Sequence, residues 1–163
     1  MARKFHIGVM GPGQMDEQGE ALARDVGRHI AEAGCVLVCG GLGGAMQAAS
    51  QGANQAGGTV IGILPGFSAN DANPYVTVPI ATGMSHARNA INIWTSDAVI
   101  AVQGSYGTLS EIALALKCGK SVVGLHTWDL KAAGCDDPNF RTAESAHEAV
   151  ELAVWLAKQG RKD

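Results

Sequence analysis

The sequence predicts a doubly wound α/β fold: a mainly parallel sheet with helices on both faces, forming a single domain over residues 1–163. Three observations lead there. Short apolar runs alternate with helical stretches, the pattern of repeated βαβ units. The runs are apolar throughout and do not alternate with polar residues, as expected of strands covered on both faces. Three of them end in glycine-rich turns, and right-handed crossovers place such turns together on one edge of the sheet.

The first strand is expected at Phe5–Met10, ending in Gly11-Pro12-Gly13. A helix near Glu17–Ala33 follows, with Leu22, Val26, Ile30 and Ala33 on one face. Asp16 is its cap, Glu17 and Glu20 suit its positive end, and Gly34 stops it. The second strand, Cys35–Cys39, opens directly into GGLGG (Gly40–Gly44) and a helix reaching about Ala56, closed by Gly57-Gly58. The third, Thr59–Leu64, ends in Pro65-Gly66. The stretch FSANDANPY contains Asn73-Pro74 and reads as a loop, then a short strand at Val76–Val78 leads to Pro79 and a helix at Ser85–Thr95. A strand at Asp97–Val102 runs into QGSYGTLSE and a helix to about Cys118, which Gly119 ends. Ser121–Leu125 is a further strand, and residues 126–141 are the least regular segment. The last helix is expected from near Thr142, with Ala146, Ala149, Val150, Ala153, Val154 and Ala157 on one face.

Composition narrows the function classes. Hydrophobic residues make up 47% of the chain and charged residues 17%, so the chain folds around a core and is not disordered. The 22 glycines cluster at the ends of apolar runs, where backbone works close to a ligand or in a tight turn. The formal charge is −3 and no Lys/Arg cluster in mid-chain exceeds a pair, which argues against a nucleic-acid surface. The basic start (Arg3, Lys4) precedes an apolar run broken at Gly11–Gly13, so neither a signal peptide nor a membrane span is expected, and the protein should be cytoplasmic. Cys35, Cys39, Cys118 and Cys135 form no C-x-x-C pair and have no histidines at zinc-finger spacing; they are expected to be reduced structural thiols, with no metal site. No cofactor is required for folding.

The chemistry is expected in the turns Gly11–Gly13, Cys39–Met46 and Gln103–Glu111. Candidate ligand residues are Gly11, Gly13, Gly40, Gly41, Gly43, Gly44 and Met46 in the first two, and Gly104, Ser105, Tyr106, Gly107 and Thr108 in the third. Glycine lets backbone approach an anion, Ser105 and Thr108 offer hydroxyls, and the N–H groups of the following helix converge with its dipole: a phosphate cradle. One such turn alone is explained by the needs of a strand–helix connection; three on one edge point to a ligand site. A dinucleotide site is a poor fit, because GPGQMD lacks the third glycine and no carboxylate ends the second strand. A Walker A loop is also absent: Gly119-Lys120-Ser121 sits where a helix ends and a strand begins.

The segments GVMGPG, CGGLGGAMQAASQGANQAGGTVIGILPG, HARNAINIW and GSYGTLSEIALALKCGKSVVGL, together covering about residues 5–125, resemble the superfamily once labelled lysine decarboxylase-like. It is Rossmann-like and holds the Lonely Guy phosphoribohydrolases and the molybdenum-cofactor carrier proteins. The GPG start, the ILPG…ANPY loop and the HARN motif look more like the carrier branch. The old label implies pyridoxal phosphate, yet no lysine stands in a context for a Schiff base, so the chain is not a lysine decarboxylase. Lonely Guy enzymes carry PGGxGTxxE with an arginine on the preceding helix: Gly104, Gly107, Thr108 and Glu111 match the loop and Arg88 the arginine, whereas Gln103 replaces the proline and Ser105 the middle glycine.

The resemblance implies catalytic roles for Glu111 and Arg88 if the chain is an enzyme. Glu111 would stabilise the positive charge building on ribose C1′ as the N-glycosidic bond breaks, and Arg88 would hold phosphate or a base edge bidentately. Without it, Glu111 is a helix-start carboxylate and Arg88 an interface or surface cation. His86, two residues from Arg88, points to a different face and reads as a structural or interface histidine. Asn89 and Asn92 are placed near ligand or a partner helix, Tyr106 either to stack on a purine or pterin ring or to pack ordinarily at a helix start, and Asp71, Asn73 and Tyr75 in a lid or a solvated loop. The reading is a carrier-like protein binding a phosphorylated small molecule, either molybdenum cofactor or a nucleotide monophosphate. The alternative is a nucleoside 5′-monophosphate phosphoribohydrolase. The resemblance further implies a homodimer or homotetramer, suited by Ile91, Ile93, Trp94, Ile112, Leu114 and Leu116.

Overall fold

The structure, a computed structural model, describes residues 3–160. Its elements in order are β1 (His6–Met10), α1 (Glu17–Glu32), β2 (Val36–Cys39), α2 (Ala45–Gln55), β3 (Thr59–Leu64), β4 (Val78–Ala81), α3 (Arg88–Thr95), β5 (Ala98–Val102), α4 (Tyr106–Lys117), β6 (Ser121–Leu125), β7 (Phe140–Ala143) and α5 (Ala146–Gly160). Short 3₁₀ turns occupy Ala69–Asp71 and Ser85–Ala87.

The seven strands form one sheet in the order β4-β3-β2-β1-β5-β6-β7, every neighbouring pair parallel. The chain steps outward from β1 to β4, then returns to lay β5 against the other side of β1. That reversal makes the carboxyl ends of β1 and β5 the topological switch point, the place where open α/β sheets bind ligands. Ile7, Val9, Leu37, Ile100 and Leu125 pack with α1, α2 and α5, while Met10, Val99, Ala101 and Val122 pack with Ile93 of α3 and with Ile112 and Ala115 of α4. Both faces are therefore apolar, which is why the central strands show no alternation.

Helix ends follow local chemistry. Asp16 Oδ1 accepts from Gly19 N at 2.8 Å and caps α1, and Gly34, Gly57 and Gly119 take positive φ where helices stop. Helices α1 and α2 cross so closely that a Cβ on Gly27 would run into the Ala49 carbonyl and one on Gly52 into the Arg24 carbonyl.

Three expectations need correction. The strand after the third loop is Val78–Ala81, not Val76–Val78; Thr77 instead bridges across, its N donating to the Val60 carbonyl at 3.0 Å and its Oγ1 accepting from Val60 N at 3.1 Å. Pro79 lies inside that strand, which is tolerated because β4 is an edge and needs no second ladder partner. The helix read as Ser85–Thr95 is a 3₁₀ turn followed by α3, with Ser85 at φ 50°. The seventh strand was missed altogether: Phe140–Ala143 pairs with β6, and α5 begins at Ala146 instead of Thr142. Its sequence, FRTA, is half polar and covers an edge, so it carries no continuous apolar signature.

None of the described helices is long and apolar enough to cross a membrane. All four cysteines are free, Cys35 and Cys39 buried, Cys118 and Cys135 exposed.

Candidate functional site

The first two glycine turns are fastened together at the carboxyl edge. Ala45 N donates to the Pro12 carbonyl at 3.0 Å, and Gly44, at φ 60°, lies so tightly on Pro12 and Gly13 that no Cβ fits. A Cβ on Gly11 would sit 2.5 Å from the Ala45 Cβ and 2.8 Å from the Val102 carbonyl oxygen, so this glycine serves the packing of β1 against β5. Gly13 has open space around it, and Gly43 meets only the Gly13 carbonyl at 3.6 Å. With Gly44 as cap and no acidic residue in its first turn, α2 presents its positive end to this edge.

Behind the second turn lies a polar pin. Asn73 N donates to the Gly41 carbonyl at 2.8 Å and Asn73 Nδ2 to the Leu42 carbonyl at 3.0 Å, with Asn73 buried. Asn73 thus holds the glycine turn in place; the lid expected from it is corrected to a structural clamp, because its amide is spent on backbone. Asp71 beside it is exposed and Tyr75 half-buried. The Cys39 thiol accepts from Gly41 N at 3.4 Å and contacts Ser50 Oγ, and burial pushes its pKa up, as for an inert small side chain.

Arg88, the first residue of α3, runs back beneath the second turn. A Cβ on Gly40 would collide with Arg88 Nη1 and lie 2.6 Å from Met46 Sδ, so Gly40 is glycine to admit a guanidinium. One turn on, Asn92 is fully buried; with its amide oriented to satisfy its neighbours, Nδ2 donates to the Cys39 carbonyl at 3.2 Å and Oδ1 accepts from Arg88 Nη1 at 2.9 Å. Arg88 is 9% exposed, and its Nε–H is buried with no hydrogen-bond partner. From α4, Glu111 (8% exposed) faces the same place. Burial raises the Glu111 pKa to about 7, against the opposing pull of the Arg88 charge and of Asn92. Burial likewise lowers that of Arg88, against the attraction of Glu111. Among the described residues the two make no direct ion pair within 4 Å. A buried cation short of a partner, beside a carboxyl whose pKa burial raises, has the chemistry to accept an anion.

The third turn splits in two directions. Ser105 and Thr108 cap each other, Ser105 N donating to Thr108 Oγ1 at 3.3 Å. The N–H groups of Tyr106 and Gly107 are thereby the ones left at the start of α4 for a ligand. Gly104 faces the other way: a Cβ there would lie 2.5 Å from the Trp128 indole nitrogen. Trp128 Nε1 donates to the Ser105 carbonyl at 3.2 Å, and its ring stacks on Tyr106 with centroids 6.1 Å apart. The structure thus brings Gly40, Met46, Arg88 and Glu111 together, and joins Gly11 and Gly13 to Gly43 and Gly44. Tyr106 leans on Trp128, which the sequence reading missed because it lies in the irregular segment 126–141, without any periodic signal. No cluster of metal-ligating side chains occurs among the described residues.

The backbone follows solved proteins closely. A molybdenum cofactor binding protein from the phototrophic bacterium Rippkaea orientalis is 41% identical, with a TM-score of 0.89 covering 96% of this chain and 99% of that one. The molybdenum cofactor carrier protein of Chlamydomonas reinhardtii is 38% identical, TM-score 0.88, with the same coverage. A protein of Archaeoglobus fulgidus described as uncharacterised is 51% identical over 121 residues, 74% of this chain and 80% of its own length. The SLOG cluster4 family model matches residues 4–153, nearly the whole of the sheet and its helices, and the chain therefore belongs to the SLOG cluster4 family.

Proposed function

We propose that this protein is a carrier-type binding protein for molybdenum cofactor, holding the phosphate of its pterin at the glycine turns and releasing the cargo unchanged. The observation that carries the reading is Arg88: a buried guanidinium with an unpartnered Nε–H, set beside Gly40 of the second glycine turn and facing Glu111 of α4. Likeness to cofactor-binding proteins along almost the full chain supports the identity of the cargo. Phosphate contacts would come from Arg88 and the amides of Tyr106 and Gly107, with Gly13 and Gly43 giving clearance for the remainder.

The phosphoribohydrolase alternative is less well supported. Gln103 and Ser105 stand where the hydrolases have proline and glycine. Molybdopterin at about a hundredfold over Kd is expected to stabilise the protein by about 2.7 kcal/mol, raising Tm by roughly 5 to 10 °C in a thermal scan. Incubation with AMP or a cytokinin riboside monophosphate should release no free base by chromatography. Base release that Glu111→Ala abolishes would overturn the carrier reading.

The protein is further proposed to work as a homodimer or homotetramer. Trp94 is 64% exposed on α3, and Ile91, Leu114 and Leu116 are only half-buried, leaving an apolar face across α3 and α4. Mass photometry should show an oligomer that Trp94→Glu dissociates; a monomeric parent protein would refute this.

A further inference from the structure

We propose a second ligand site on this chain, apart from Arg88 and Glu111: a groove across the carboxyl ends of β5, β6 and β7 that takes the 2-amino-4-oxo edge of a planar nitrogen heterocycle. The groove rests on its own residues and is independent of the carrier reading, whose cargo lies at the glycine turns.

Three cavities of about 600, 270 and 540 Å³ adjoin one another here, with His126 lining all of them, Gly104 the first two, and Thr127 and Trp128 the last two. Two neighbouring strands end at its rim in left-handed residues that are not glycine, Gln103 and His126, both at φ 52°. Gln103 N donates to the Leu125 carbonyl at 3.0 Å and fixes one against the other. Non-glycine residues hold this conformation at a cost and recur at ligand clamps. Thr127 Oγ1, in the wall, is buried without a partner. The Trp128 indole is pinned at its nitrogen by the Ser105 carbonyl and stacked on Tyr106, itself 84% exposed. A fixed, partly uncovered aromatic pair is a stacking platform for a planar ring.

The far end of the groove selects the edge of that ring. Asp129 and Asp137 are occupied by the backbone N–H groups of Ala132 and Asn139. Asp136 and Glu144 are exposed and accept no hydrogen bond from the described residues. With Lys131 and Arg141 as the only Lys or Arg in this lining, carboxylates outnumber cations, so a phosphate is disfavoured and a donor edge is favoured. A 2-amino-4-oxo ring presents a ring N–H and an exocyclic amine side by side, the spacing a carboxylate accepts with both oxygens. Pterins and guanine share that edge; adenine lacks it.

The test uses a W94F/W155F variant, which leaves Trp128 as the reporter tryptophan, titrated with neopterin, guanosine and adenosine, none of which carries phosphate. Neopterin, guanosine or both should quench Trp128, and adenosine should not. The two compounds distinguish a pterin from a nucleoside source. D136N/E144Q, at exposed positions, should raise Kd at least tenfold while R88A leaves it unchanged, and calorimetry on the parent chain should reproduce the affinity. No binding of either compound by both methods, binding insensitive to D136N/E144Q, or binding lost with R88A would overturn the groove. Failure of molybdopterin to stabilise the protein would instead sink the carrier reading, and leaves neopterin binding here as a separate result.

Discussion

Arg88→Ala is expected to raise the Kd for a phosphorylated ligand at least a hundredfold, as read by calorimetry with molybdopterin. Two charge-assisted hydrogen bonds to a phosphate, worth about 1.5 to 3 kcal/mol each, are lost with the guanidinium. Arg88→Lys should recover little, because an ammonium lacks the planar fork and its shorter reach leaves the space beside Gly40 and Asn92 unfilled. The substitution also withdraws the main influence holding the Glu111 pKa down, so that carboxyl should titrate above 7 in the variant. A change in Kd of less than threefold would show that Arg88 neutralises Glu111 and does not bind the ligand.

Glu111→Gln is expected to stabilise the ligand-free protein at pH 8 and to leave it nearly unchanged at pH 4. In the fold the carboxyl titrates near 7, and in the unfolded chain near its ordinary 4.5. Below 4.5 both states hold the proton and the group contributes nothing. Between the two values the native state binds more protons than the unfolded one, so stability falls as pH rises. Above 7 the full penalty stands, about 3 kcal/mol, or roughly 6 to 12 °C in Tm for a chain of this size. Glutamine copies the neutral form and removes the slope. Calorimetric scans of both proteins from pH 4 to 8 check this, and parallel curves would mean that the Glu111 carboxyl titrates in the fold as it does in the unfolded chain. The same sign applies to binding: a phosphate beside Glu111 favours its protonated form, so affinity should weaken as pH rises through 7.

Most of the architecture was legible in residue order. Unbroken apolar runs such as Val36–Cys39 and Ala98–Val102 marked central parallel strands, and Asp16, Gly34, Gly57 and Gly119 marked helix ends through their own backbone preferences. What escaped was at the edges. β4 contains a proline and β7 has two polar residues at its centre, because an edge strand is freed from both requirements that make a central strand recognisable. The site was legible only as types of residue. Gly40 and Gly104 look alike as letters, yet one makes room for Arg88 and the other for Trp128.

By itself the sequence determined an α/β fold, a parallel sheet covered on both faces, and three glycine turns on one edge. These follow from periodicity and turn preference, which act over a few residues. Tertiary structure alone decided that Asn92 and Glu111 would meet Arg88, that Asn73 would be spent as a clamp, and that Gln103 and His126 would share a rim. Those outcomes depend on which polar groups are buried together after the sheet closes. Desolvation is a property of the assembled surroundings, and no local pattern encodes it.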